Sequence, residues 1–156
     1  MAKSGARSLV ARPLYVLAGM GGLFLVYLFQ DYLDLYHLLQ GQMPEKLNYR
    51  VEFAPNLNPW AFSVNKAFRY VLNDIMAITV IYGLFGKRSY VRFAMYVLLV
   101  GLLFLVPLYI YLYLAQPVGF SSMLSHLHRI VMNPVLMMLM IPALYFQDRQ
   151  PGPPRP

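Results

Sequence analysis

The chain has 156 residues, is 59% hydrophobic and only 12% charged, and carries a formal net charge of +7; its mean hydropathy is +0.51. Soluble domains carry about 25% charged residues, so the composition describes a single-domain integral membrane protein rather than a soluble enzyme. Cysteine is absent, which excludes disulfides, thiolate nucleophiles and Cys-ligated metal.

Residues 1–12 hold Lys3, Arg7 and Arg12 without an acid. The apolar run that follows ends in Gln30-Asp31-Tyr32-Leu33-Asp34 with no small-x-small cleavage site, so it reads as an uncleaved first span over about 13–30. Ala18 and Gly22 fit a small-xxx-small contact with another helix; glycine is also simply common in membrane helices. Asp31 to Leu39 keeps an amphipathic pattern. Gly41, Pro44 and Pro55 then break any helix, which makes 40–65 an extracytoplasmic loop with a short extended piece at Val51-Glu52-Phe53. Asp31, Asp34, Glu45 and Glu52 put most of the acidic residues on this side. Trp60 suits the headgroup layer.

A second span is expected over about 66–86, the length that about 20 residues need to cross a bilayer. Asn65, Arg69 and Asn73 recur every fourth residue in and before its first half. They share one helix face, with Asp74 about 100° round from Asn73. Ionisable groups at the bilayer centre cost roughly 2.5–3.5 kcal/mol each on insertion scales, so this stripe faces other helices, a wet cleft or headgroups. The basic loop Lys87-Arg88-Ser89-Tyr90-Val91-Arg92 follows. A third span covers about 90–114, with Pro107 expected to kink it and Tyr109, Tyr111 and Tyr113 at its far end. A fourth covers about 125–146, opening with His126-Leu-His128-Arg129 and carrying Asn133-Pro134. Residues 148–156 form a Pro-rich tail with too little apolar surface to fold.

The fold class expected is therefore all-α, a membrane bundle of four transmembrane helices. Lys3, Arg7, Arg12, Lys87, Arg88, Arg92, Arg149 and Arg155 fall on one side, which the positive-inside rule makes cytoplasmic, with both termini. The second span's stripe and His128, Arg129 and Asn133 of the fourth then lie at similar depth. Arg69, Asn73, Asp74, His128, Arg129 and Asn133 form the candidate binding cluster. It is a structural knot or a lipid-phosphate contact on one reading, and on the other a cleft in which Arg69 and Arg129 grip a carboxylate or phosphate. His126 and His128 are two apart, a poor metal geometry, and His37 lies on the first helix's extension; no metal or cofactor is expected. No catalytic motif is present. No basic helix with interleaved aromatics points to nucleic acid.

Phe68-Arg69-Tyr-Val-Leu-Asn73-Asp74, Tyr90-Val-Arg-Phe93 and Leu127-His-Arg-Ile-Val-Met-Asn-Pro-Val-Leu-Met-Met-Leu-Met-Ile-Pro-Ala-Leu-Tyr-Phe-Gln147 give the chain a likeness over roughly 60–147. It resembles the exosortase F system-associated membrane proteins of Bacteroidetes, with their Phe-Arg-x-x-Leu-Asn second span and Arg-x-x-x-x-Pro, leucine-rich, Ile-Pro-Ala-aromatic-Gln ending. The resemblance implies a bacterial inner-membrane protein that partners a membrane-embedded exosortase or its substrate's sorting helix. Exosortase chemistry uses Cys with Arg and His; this chain has no Cys, so the resemblance implies a non-enzymatic accessory role in protein sorting. Two other classes stay open: a small transporter or channel subunit using Arg69, Asp74 and His128, and an intramembrane enzyme acting on lipid with His128 as base.

Overall fold

The structure, a computed structural model, describes residues 3–29, 32, 33, 35–40, 58–115, 119 and 121–149. Every element among them is helical: α1 Lys3–Leu28, α2 Leu35–Gln40, α3 Pro59–Phe85, α4 Arg88–Val100, a π turn Gly101–Leu105, α5 Val106–Ala115, α6 Ser121–Met132 and α7 Val135–Arg149. Residues 41–57 of the expected loop and 150–156 of the expected tail lie outside the described residues.

Among the described residues two helices are long and apolar enough to cross a membrane: α3, and the continuous run Arg88–Ala115. Counted as one span, the bent pair α6–α7 makes a third, while Arg12–Leu28 is a shorter apolar helix. Leu17, Phe24, Tyr96, Leu103, Phe104 and Phe146 are all exposed, apolar surface on a scale that water does not tolerate.

α3 is the axis of the fold, for every other described element packs against it. It starts at Pro59, so residues 59–65, expected in the loop, form its first turns. The cause is local. The side-chain oxygen of Asn58 accepts hydrogen bonds from the N–H groups of Trp60 (3.0 Å) and Ala61 (3.3 Å). Pro59 stands where its missing N–H costs nothing. The helix ends at Gly86, left-handed at φ 64°, whose N–H donates to the Tyr82 carbonyl; glycine takes this conformation without a Cβ penalty.

α1 meets α3 through glycines, and of the pair the sequence favours only Gly22 takes part, where a Cβ would stand 2.5 Å from Met76 Sδ. Ala18 is exposed. Gly19 is the close approach: a Cβ there would stand 2.6 Å from Val80 Cγ2 and 2.8 Å from the Met76 carbonyl oxygen. Gly83 on α3 is the reciprocal contact, where a Cβ would stand 2.7 Å from Val16. Small residues let two backbones approach closely where no hydrophobic effect drives helices together.

Pro107 does not produce a simple kink. Six residues before it, at Gly101, the chain widens into the π turn, and the Val106 N–H donates to the Gly101 carbonyl. Proline's ring clashes with the carbonyl four residues back and supplies no N–H; a π turn absorbs that mismatch within a continuous helix. Gly101 faces the Tyr70 hydroxyl so closely that a Cβ would overlap it.

The core runs along α3 on the side of α4, α5 and α7. Ile81, Ala94, Tyr109 and Met137 are fully buried, and the Phe62 and Tyr113 rings stack at 4.3 Å. At the α3–α4 corner Lys87 Nζ pairs with the Asp148 carboxylate, which also accepts from the Tyr90 hydroxyl at 2.9 Å. The Asp148 hydrogen bond holds the Lys87 ammonium above its ordinary pKa.

Candidate functional site

The expected fourth span is not one straight helix. It breaks at Asn133-Pro134, and α6 and α7 are bent by 63°. Proline cannot donate to the carbonyl four residues back and crowds the preceding turn. Asn133 closes α6 locally: its N–H and its side-chain Nδ2 both donate to the Arg129 carbonyl, each at 3.1 Å.

The break exposes backbone polar groups that need partners in an apolar setting. Asn73 answers one of them, its Nδ2 donating to the Met132 carbonyl at 2.7 Å across 59 positions of sequence. This bond joins the second span's polar stripe to the break.

A cleft of about 380 Å³ lies beside that junction. Leu23, Val26 and Tyr27 of α1 form one wall; Arg69 and Asn73 of α3 form a second. His128, Met132, Asn133, Pro134 and Met138 around the break complete it. Thus Arg69, Asn73, His128 and Asn133, four of the six residues that helical spacing brought forward, share one cavity. None of the described residues lining it is acidic. Arg69 makes no ion pair among the described residues. Lys66, Arg69 and Arg129 all lie near enough to His128 to add positive potential there. His128 is positioned from behind: its Nδ1 and the Tyr109 hydroxyl are 2.8 Å apart.

The other residues fall elsewhere. Arg129 is exposed and does not line the cleft. Asp74 is 2% exposed and turns with Tyr70 away from it. Tyr70 and Asp74 lie one helical turn apart and interact, yet neither Tyr70 Oη nor Asp74 Oδ2 makes a hydrogen bond of good geometry. Asn65 extends the stripe by spacing, but its side-chain oxygen accepts the N–H of Leu35 at 3.2 Å and so caps α2. His126 is exposed and bonds through Nδ1 to the Ser122 carbonyl. Among the described residues, no three His, Asp or Glu side chains are grouped to hold a metal; the side chain of His37 lies outside them. Tyr27 and Met138 also line the cleft; nothing local in the sequence separates Tyr27 from the other exposed aromatics, and the cluster Met137, Met138 and Met140 reads there as packing.

Compared with known proteins, the chain matches no family model, no curated protein and no solved structure.

Proposed function

We propose that this chain is a four-span protein of a bacterial inner membrane, both termini cytoplasmic, and a non-enzymatic accessory subunit of an exosortase-type sorting system. α1 supplies the first span and the bent α6–α7 pair the fourth. The observation that carries the reading is a convergence. The Phe68-to-Asn73 stretch and the Arg129-to-Pro134 stretch carry the family resemblance, and they meet at one cleft through Arg69, Asn73, Asn133 and Pro134. The partner, an exosortase or a sorting-signal helix, lies across the mouth of that cleft. A cationic rim of this kind favours a partner of opposite charge.

The test is a photo-crosslinker at Tyr27, which lines the cleft and is 69% exposed, in the native bacterium. Crosslinks to a Cys-containing multispan protease, or to a protein with a C-terminal sorting helix, support the accessory role. Failure of any such protein to crosslink or co-purify sinks it. A second reading, an enzyme acting on lipid with His128 as base, draws on the Tyr109 contact that orients His128. Lipid cleavage that survives His128→Ala would remove it. A transporter role has less support, because Asp74 lies off the cleft.

A further inference from the structure

The cleft is too small for a helix. An α-helix is about 10 Å across, so even an 18 Å length displaces about 1,400 Å³. The cavity is about 380 Å³, within the range of about 300–1,000 Å³ typical of small-ligand sites. A partner lying across the mouth leaves this volume still to be filled.

Three observations define what fills it. The first is charge. Among the described residues Arg69 lines the cleft with no acid beside it, and Lys66 and Arg129 lie close enough to act on His128. A guanidinium in an apolar surrounding needs an anion, and its planar fork matches two oxygens of a phosphate. The second is depth. From Gly86 to Arg69, α3 rises about 26 Å, close to the hydrocarbon thickness of about 30 Å. Arg69 therefore stands just inside the far boundary, where its side chain can extend toward headgroups. The third is adjacent apolar space. A second groove of about 510 Å³ lies between α1 and α3, lined by Gly22, Leu25, Phe29, Leu72 and Met76. Val26 lines both cavities. A polar cavity with a cationic wall, beside an apolar one, matches a molecule with an anionic head and a hydrocarbon chain.

We infer that the cleft is a phosphate site that takes the headgroup of a membrane phospholipid. Arg69 holds the phosphate, Asn133 and His128 flank it, and an acyl chain passes over Val26 into the apolar groove. The inference extends beyond the sorting role and requires no partner protein.

The experiment is thermal unfolding of the purified full chain in non-ionic detergent, titrated with dioctanoyl phosphatidic acid. Parallel titrations use the matching diacylglycerol, inorganic phosphate and octanoate. A saturable rise in Tm with phosphatidic acid, absent with diacylglycerol, is expected. Arg69→Gln should raise the half-saturating concentration by about tenfold or more, the loss of a charge-assisted fork, and Asn133→Ala should raise it less. Arg92→Gln, on the exposed face of α4, should leave it unchanged. If Arg69→Gln fails to fold, Arg69→Lys keeps the charge without the fork and should show an intermediate loss. An equal rise with inorganic phosphate alone assigns the site to free phosphate and overturns the lipid. An equal rise with octanoate overturns phosphate recognition. No rise, or the same rise in Arg69→Gln, overturns the site. Because no exosortase is present, none of these outcomes bears on the sorting role, which the crosslinking experiment judges separately.

Discussion

Asn73 on α3 donates from its side-chain amide to the main-chain carbonyl of Met132, at the point where α6 ends. The carbonyl belongs to a turn that Pro134 has interrupted, so an uninterrupted helix would not leave it seeking a donor. One side chain thus ties the central helix to the break that shapes the cleft.

Asn73→Leu removes the donor and leaves the carbonyl unpaired. The expected loss is about 1–3 kcal/mol, the cost of a buried unsatisfied polar group. Asn73→Asp should be no better, since a carboxylate accepts and does not donate. Unfolding of the micelle-bound protein by graded SDS measures both. Wild-type stability in Asn73→Leu would mean that the bond contributes nothing.

The α1–α3 contact gives a sharper contrast. Gly19→Val places methyl groups against Val80 and the Met76 backbone. Overpacking of this kind costs about 1–3 kcal/mol. Ala18→Val, one residue away on an exposed face, should change little. Unfolding by graded SDS measures both variants. Stability should fall in Gly19→Val and hold in Ala18→Val; the reverse order would refute the packing.

Gly101→Ala should destabilise the protein by forcing the new methyl group against the Tyr70 hydroxyl. Tyr70→Phe in the same chain should restore part of the loss. Rescue stays partial because Tyr70 Cζ would still be only 2.8 Å from the added Cβ. A double-mutant cycle reads the coupling, and additive effects would show that the two do not touch.

Lys87 titrates above its ordinary value because Asp148 holds its charged form. A raised lysine pKa contributes stability that is fully present below the unfolded value of about 10.4. That contribution is lost as pH rises through the folded value. Asp148→Asn should return Lys87 toward the ordinary value, seen by NMR of a labelled lysine side chain. Both side chains are partly exposed, so the stability effect is small and falls further with salt. An unchanged Lys87 titration in Asp148→Asn would count against the pair.

Much of the helical layout was legible because hydropathy runs and fourfold spacing are local. Arg69 and Asn73 fell on one face because α3 is regular there. Helix breaks were harder to place. The same periodicity grouped Arg129 with Asn133, but Asn133-Pro134 ends α6, and Arg129 points outward. Asn65 shared the stripe's spacing, yet its partner is Leu35, thirty positions away, and no local pattern marks such a bond. Spacing favoured Ala18 with Gly22, yet Ala18 is exposed and Gly19 makes the close approach; Val80, Met76 and Gly83 on the opposing helix decide that. Pro107 signalled a disturbance correctly, but the π turn depends on how the chain before it fits against Tyr70.

The 63° bend between α6 and α7 also sets the length that the pair presents along one axis. With 15 residues, α7 reaches about 22 Å, short of a hydrocarbon core of about 30 Å. With 12 residues, α6 is about 18 Å long, and only about 8 Å of that projects along the α7 axis at this bend. The sum is close to one membrane thickness, the length that one span needs. Most of α6 runs across the α7 axis, so His128 and its neighbours are spread sideways from α7 more than along it.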